Sequence, residues 1–141
     1  MEGSVTDFKI AKYNGESYLS FIMDPRVTQE SMFGGEGIIL DPSYSVVKRL
    51  PLSIGDGGFN MHEFKVINDG RTALAESGNR KLVDFSKVGL GQESGYIMDG
   101  IFVEMDLVTG KEVFRWQSSD HVPSNESYTA RSPFDKAWDY L

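Results

Sequence analysis

The chemistry open to this sequence rests mainly on two histidines: His62, in Met61-His62-Glu63-Phe64, and His121, in Ser118-Ser119-Asp120-His121-Val122-Pro123. An imidazole titrates near neutrality, so it can serve as nucleophile, proton shuttle or metal ligand. His62 stands at the start of an alternating run, Met61 to Ile67, where a strand edge lets a side chain face a channel. The plainer account is an imidazole bonded to a loop carbonyl at that edge, and for a chain this short standing alone it carries more weight. For His121, an imidazole pinning its loop through Asp120 or a backbone carbonyl outweighs catalysis, which leaves binding as its role in a site. Glu63 is next to His62 in a strand and so points to the opposite face, which argues against its orienting that ring.

Other chemistries find little support. The histidines are 59 residues apart (62 to 121), cysteine is absent, and no carboxylates cluster at ligand spacing, so neither a metal site nor a cofactor is expected. No Gly-x-Ser-x-Gly elbow is present. Gly34-Gly35-Glu36-Gly37 and Asp56-Gly57-Gly58 lack the following helix and the Gly-Lys-Ser/Thr of a phosphate loop. A net charge of −7 and a pI near 4.8 leave no basic stripe for nucleic acid. Lys111 and Arg115 flank Glu112 on a strand and read as a solvated face.

The elements that must position these residues are strands. The 141 residues suit one domain, held by packing because there are no disulfides. Fifteen glycines and frequent aromatic and branched residues point to short strands and tight turns. Residues 100–118 form the clearest unit. Ile101, Val103 and Met105 alternate with Phe102, Glu104 and Asp106, a five-residue loop places Gly110 where positive φ is needed, and Val113, Arg115 and Gln117 alternate with Phe114 and Trp116. This hairpin, with its Asp-x-x-Thr-Gly-Lys loop and closing Trp, has the look of the two outer strands of a propeller blade.

Upstream the same unit recurs. Asn14-Gly15 joins strands around Phe8–Ala11 and Tyr18–Ile22, and Asp41-Pro42-Ser43-Tyr44 joins Glu36–Leu40 to Ser45–Leu50. In the second half Asn68-Asp69-Gly70-Arg71 joins Met61–Ile67 to Thr72–Glu76. Asn14-Gly15 matches Asp69-Gly70, and the hairpin around Asp41 matches that around Asp106, with the difference in offset assigned to extra loop from Ser77 to Ser94. Within that loop Leu82-Val83-Asp84-Phe85 is left open between a helical turn, an edge strand and plain loop. The expected fold is all-β: two four-stranded antiparallel blades of a β-propeller, incomplete. Residues 1–141 are one partial domain, with blade one over about 7–50, blade two over about 61–118 and 119–141 leading into a further blade. Two blades leave apolar faces open, so a fragment of a longer chain, or self-association through those faces, is expected.

Gly35-Glu36-Gly37-Ile-Ile-Leu-Asp41-Pro-Ser-Tyr44, His62-Glu63-Phe64, Asp99-Gly100 through Gly110, Trp116-Gln-Ser-Ser-Asp120-His121-Val122-Pro123 and Trp138-Asp139-Tyr140, in that order, resemble the arylsulfotransferase-like proteins of filamentous fungi. The resemblance covers nearly the whole chain. It implies a six-bladed propeller and histidine-dependent sulfuryl transfer from an aromatic sulfate donor to a phenolic acceptor. It also implies that His62 is the channel histidine, that a His and Asn should follow Leu141, and that the nucleophilic histidine lies in blades beyond this chain. Such chemistry needs a nucleophile that is also a leaving group, a proton shuttle, and cations or N–H donors around three oxygens. With two histidines the chain alone is expected to be inactive. A non-catalytic scaffold or ligand-binding propeller stands as the alternative, and a quinoprotein-like dehydrogenase is suggested only by the blade hairpin. No leader or membrane span is read in the chain. As written it is cytosolic, and secreted or anchored only if the full-length family pattern holds.

Overall fold

A computed structural model describes residues 3–24, 34–51, 60, 62–88, 93–129 and 138–139. Strands β1 (Ser4–Tyr13), β2 (Glu16–Asp24), β3 (Glu36–Leu40) and β4 (Val46–Pro51) form one antiparallel sheet in chain order. Strands β5 (Phe64–Ile67), β6 (Thr72–Asp84), β7 (Ser94–Asp106) and β8 (Glu112–Gln117) form a second. A two-residue strand, β9 (Trp138–Asp139), pairs in parallel with β7 at Ile97 and Met98. Among the described residues the helical structure is limited to single 3-10 turns, and no helix is long and apolar enough to cross a membrane. The expected all-β class and the two four-stranded antiparallel sheets are what the chain forms.

The sheets pack face to face through one core. Ile22, Ile39 and Leu50 of the first sheet meet Phe64, Ala73, Ala75, Ile101, Val103 and Met105 of the second, with Leu107 closing the end. Phe64 is fully buried, and its ring lies over Gly37, where an added Cβ would fall 2.8 Å from the ring. Glycine in β3 therefore leaves room for the largest side chain of the interface.

Polar ties close both ends of the β1/β5 edge. At one end the turn Asn14-Gly15, with φ of 51° and 78°, docks on the turn of the other sheet. The Asn14 N–H donates to the Asp69 carbonyl at 3.2 Å and the Gly15 N–H to Asp69 Oδ1 at 3.0 Å. Gly70 is needed there twice over, for its φ of 82° and for its approach to the Tyr13 ring. At the other end a bulge between Thr6 and Lys9 puts Asp7 at φ 53°, turning its carboxylate to accept the Phe64 N–H at 2.5 Å.

The outer hairpins are closed alike. Asp41 Oδ1 accepts the Ser43 N–H, the Ser43 hydroxyl and the Ser45 N–H. Asp106 Oδ1 accepts the Val108 N–H, the Thr109 N–H and the Thr109 hydroxyl. Tyr44 and Gly110 take positive φ of 63° and 69°, and register shifts fall at Ile39/Leu40 and at Glu104/Met105. These bonds hold both carboxyls below the ordinary range: in Asp41 mainly through the Ser43 hydroxyl, and in Asp106 mainly through the Thr109 N–H.

Residues 77–84 overturn the reading of a long loop. β6 and β7 pair without interruption from Thr72↔Asp106 to Asp84↔Ser94. Gly78-Asn79-Arg80-Lys81 reads as breakers only because the apolar partners of this arm, Ile97 and Ile101, lie on the opposite strand. Leu82–Asp84 end β6, and a 3-10 turn then covers Phe85–Val88, with Asp84 Oδ1 accepting from the Ser86 N–H and hydroxyl. β5 starts at Phe64 rather than at Met61, which lies outside the described residues, as do Asp56-Gly57-Gly58 and residues 130–137.

Two outcomes follow from this packing. Gly37→Ala should lower stability by about 1–3 kcal/mol through overpacking, and Phe64→Ala by about 3–5 kcal/mol through the cavity left. In the Phe64→Ala background the Gly37→Ala change should fall to within about 0.5 kcal/mol of neutral, a coupling that urea unfolding of the four proteins measures. Acid sensitivity has a set sign. A depressed aspartate adds stability above its unfolded value of about 3.9 and loses it as pH falls through the lower folded value. Asp106→Asn, which keeps an oxygen for the three donors, should flatten part of that acid limb in melts taken across pH.

Candidate functional site

His62 sits just before β5 and is exposed. Its backbone N–H donates to Asn60 Oδ1 at 3.2 Å, and its ring Nδ1 meets the same oxygen. A backbone N–H needs an acceptor, so it fixes which end of the Asn60 amide faces His62. With that oxygen as acceptor, the neutral ring carries its proton on Nδ1 and its lone pair on Nε2. Asn60 is itself held by its N–H to the Glu76 carbonyl at 2.8 Å. The partner of His62 is thus an asparagine side chain, not the loop carbonyl of the plainer sequence reading.

Glu63 does not orient His62. Its carboxylate pairs with Lys9 Nζ at 2.8 Å, and Lys9 also pairs with Asp7 at 2.8 Å. Burial alone would lower the Lys9 ammonium, but Asp7 and Glu63 outweigh it and raise it. Glu76, half-buried in β6, is bonded through its N–H to the Glu63 carbonyl at 3.3 Å. Burial first, then the Glu63 and Asp7 charges, push its carboxyl up, with His62 opposing. The edge of β1 and β5 therefore gathers Asp7, Lys9, Asn60, His62, Glu63 and Glu76. That set can orient an imidazole and move a proton, but its one ammonium is already engaged by two carboxylates, which leaves an anion poorly served. Among the described residues no group of three or more His, Cys, Asp or Glu is placed to hold a metal.

From Glu76 a row of side chains crosses the outer face of the second sheet. Glu76 is opposite Phe102, and Phe102 opposite Trp116. Glu63, Lys65, Leu74, Ala75, Glu76 and Phe102 line a shallow cleft of about 360 Å³ there. The Phe102 and Trp116 rings lie 5.8 Å apart, and the His121 ring lies flat on Trp116 at 5.3 Å and 8°. Among the described residues, His121 meets neither Asp120 nor a carbonyl through its ring. Its N–H, not its imidazole, joins the Ser118 carbonyl at 3.0 Å and closes the turn Ser118–Asp120. His62 precedes β5 and His121 follows β8, the two ends of the β5-β6-β7-β8 order, and among the described residues no contact joins their rings. The fold does not bring them together.

That turn folds around Asp99, in the middle of β7 and wholly buried. Burial would raise its carboxyl, but hydrogen bonds from Ser119, Ser118 and Gln117 outweigh it and hold it below the usual range. Sequence reasoning passed over Asp99, Glu76, Asn60 and Lys9. Asp99 was read only as part of a family motif, and apart from the neighbours Asn60–His62 and Lys9–Asp7 the partners of these residues are 13 to 54 residues away (63 to 76, 9 to 63). Arg115 does lie on the exposed strand β8, where it forks onto Glu112 at 2.9 and 2.6 Å, whereas Lys111 is in the loop just before that strand.

No curated protein and no solved structure is a significant match to the chain. A family profile described as arylsulfotransferase (ASST) matches residues 35–139, from the glycine pair before β3 to the end of β9. That span includes His62, the long β6/β7 hairpin, Asp99 and the His121 turn, and on it the chain belongs to the arylsulfotransferase (ASST) family.

Proposed function

We propose that this chain contributes two blades and one oriented imidazole to an aryl sulfate:phenol sulfotransferase built as a β-propeller, and that it is inactive without the remaining blades. The observation that carries this is the His62–Asn60 pair. An imidazole whose Nδ1 is committed to an acceptor presents Nε2 as a lone pair at the head of β5. In sulfuryl transfer the nucleophilic histidine, expected in the further blades, attacks sulfur as the S–O bond to the donor phenolate breaks, and His62 Nε2 serves the channel as a proton shuttle. The nucleophile's sulfo-imidazole then passes its group to an acceptor phenol, whose proton a neighbouring base takes up. Glu76, raised toward neutrality and near His62, suits that proton.

What is missing supports the second half of the proposal. Three sulfuryl oxygens need cations or N–H donors, and Lys9 is occupied by Asp7 and Glu63. Those donors would come from further sheets.

The matched turns Asn14-Gly15 and Asp69-Gly70, which dock on each other, and the matched hairpins around Asp41 and Asp106 support a repeated unit. Repeated sheets seek neighbours, and the open faces here are apolar. Val5, Phe8 and Ile10 on the first sheet are 53%, 61% and 73% exposed, and Phe102 and Phe114 on the second are 46% and 53% exposed. Phe102 stands four residues before its hairpin aspartate, where the first sheet has Gly37. The second sheet's outer face thus lacks a seat like the one that takes Phe64, and a further sheet of different sequence fits it better than a copy of this chain.

With 4-nitrophenyl sulfate as donor and a phenol as acceptor, the isolated chain should release no product. Turnover that disappears in His62→Ala would overturn the claim of inactivity. In an assembly where the ring is closed, His62→Ala should lower kcat by about 10²- to 10⁴-fold, and an unchanged rate would remove His62 from the mechanism. Sedimentation velocity over a range of concentrations should show weak self-association of the isolated chain, reduced by Phe8→Ser. A monomer at every concentration would mean these faces need no neighbour.

A further inference from the structure

We propose that Asp99 is the positioning residue for His121, holding its ring on Trp116 by gathering the turn Gln117–Asp120 around one buried carboxylate. The proposal rests on the reading of His121 as a binding residue of the sulfotransferase site, and it concerns how that ring is held rather than what it binds.

Two donors reach each carboxylate oxygen. Oδ1 accepts the Ser118 hydroxyl at 2.8 Å and the Ser119 N–H at 2.8 Å. Oδ2 accepts the Gln117 side-chain amide at 2.6 Å and the Ser119 hydroxyl at 2.6 Å. An ionised carboxylate offers about four lone-pair sites, so all are filled. Asp99 is 0% exposed and has no acceptor capacity left for a ligand, which excludes it as a base or a contact to substrate. Its cost of burial is met only by these bonds, and their donors are three consecutive residues that run straight into His121.

The turn is tied on its other sides as well. Ser118 Oγ accepts the Gly100 N–H at 2.9 Å, and Ser119 Oγ accepts from Lys81 Nζ at 2.7 Å. Lys81 also approaches Asp120 at 3.9 Å. Beyond His121, Val122 packs on the small cluster of Phe85 and Ile97. His121 therefore lies between a polar anchor and an apolar one. The apolar anchor fixes where the chain passes. The polar anchor fixes the turn that sets the ring parallel to Trp116.

The ring stack gives a signature that mere folding does not. Protons of His121 above the Trp116 face should resonate upfield of their counterparts in His62, with cross-relaxation to indole protons, in proton NMR spectra of the whole chain. In Asp99→Ala the upfield shift and the cross-peaks should be lost, while the dispersed amide signals of both sheets remain. Asp99→Asn should be intermediate, since one amide oxygen replaces two carboxylate oxygens. Retention of the full shift in Asp99→Ala would overturn the proposal and assign the stack to Val122. Should Asp99→Ala fail to fold, Ser119→Ala, which removes the hydroxyl between Asp99 and Lys81, should still weaken the shift. A shift unchanged there overturns the proposal equally. Turnover is not part of this readout, so loss of the stack in these variants stands even if a closed-ring His121→Ala assembly proves fully active, a result that would sink only the site reading.

Discussion

The seating of Phe64 over Gly37 is the contact on which the rest of the structure depends. Each sheet turns an apolar face to the other, and their union needs a projection and a recess of matching size. Phe64 is also the first residue of β5, so the packing that joins the sheets fixes where the first strand of the second sheet begins. His62 and Glu63 immediately precede it. Their position at the sheet edge is thus a consequence of core packing two residues away.

The polar side of that edge is governed by Asp7. Its bulge places a carboxylate between the Phe64 N–H and Lys9, and Lys9 in turn draws Glu63 away from His62. His62 is left to Asn60, whose amide oxygen meets its ring without adding negative charge. The same arrangement leaves the edge rich in carboxylates. An anionic sulfate ester gains little from it, which is why membership of the family and activity of this chain are separate matters. On the function proposed above, the fold supplies an oriented ring and further sheets supply the charge that binds the transferred group.

The long β6/β7 hairpin does different work. Its arm beyond the core carries Asp99, Lys81 and Ile97, and these organise the turn that follows β8 and the pairing of β9. Extending a hairpin past the sheet it belongs to gives the returning chain a surface to fold on. His121 and the Trp138–Asp139 strand both rest on that extension rather than on the four-stranded sheet proper.

Local signals settled a large part of this architecture. Asn14-Gly15, Asp41-Pro42 and Asp106 through Gly110 specify their hairpins because positive φ and side-chain capping by aspartate are properties of a few consecutive residues. Alternation in Ile101 to Met105 and in Val113 to Gln117 likewise needs no distant partner to be read, and the family motifs were visible in order. The run from Ser77 to Lys81 was not legible as strand, since its apolar complement is on β7 and glycine, asparagine and lysine hide the period, while Leu82 to Asp84 read equally as strand, turn or loop. Nor was the surrounding of His62 legible. That Lys9 takes Glu63 and that four donors converge on Asp99 were decided only by tertiary structure. Burial sets the worth of each such bond, and burial exists only once two sheets, far apart in the chain, have closed on each other.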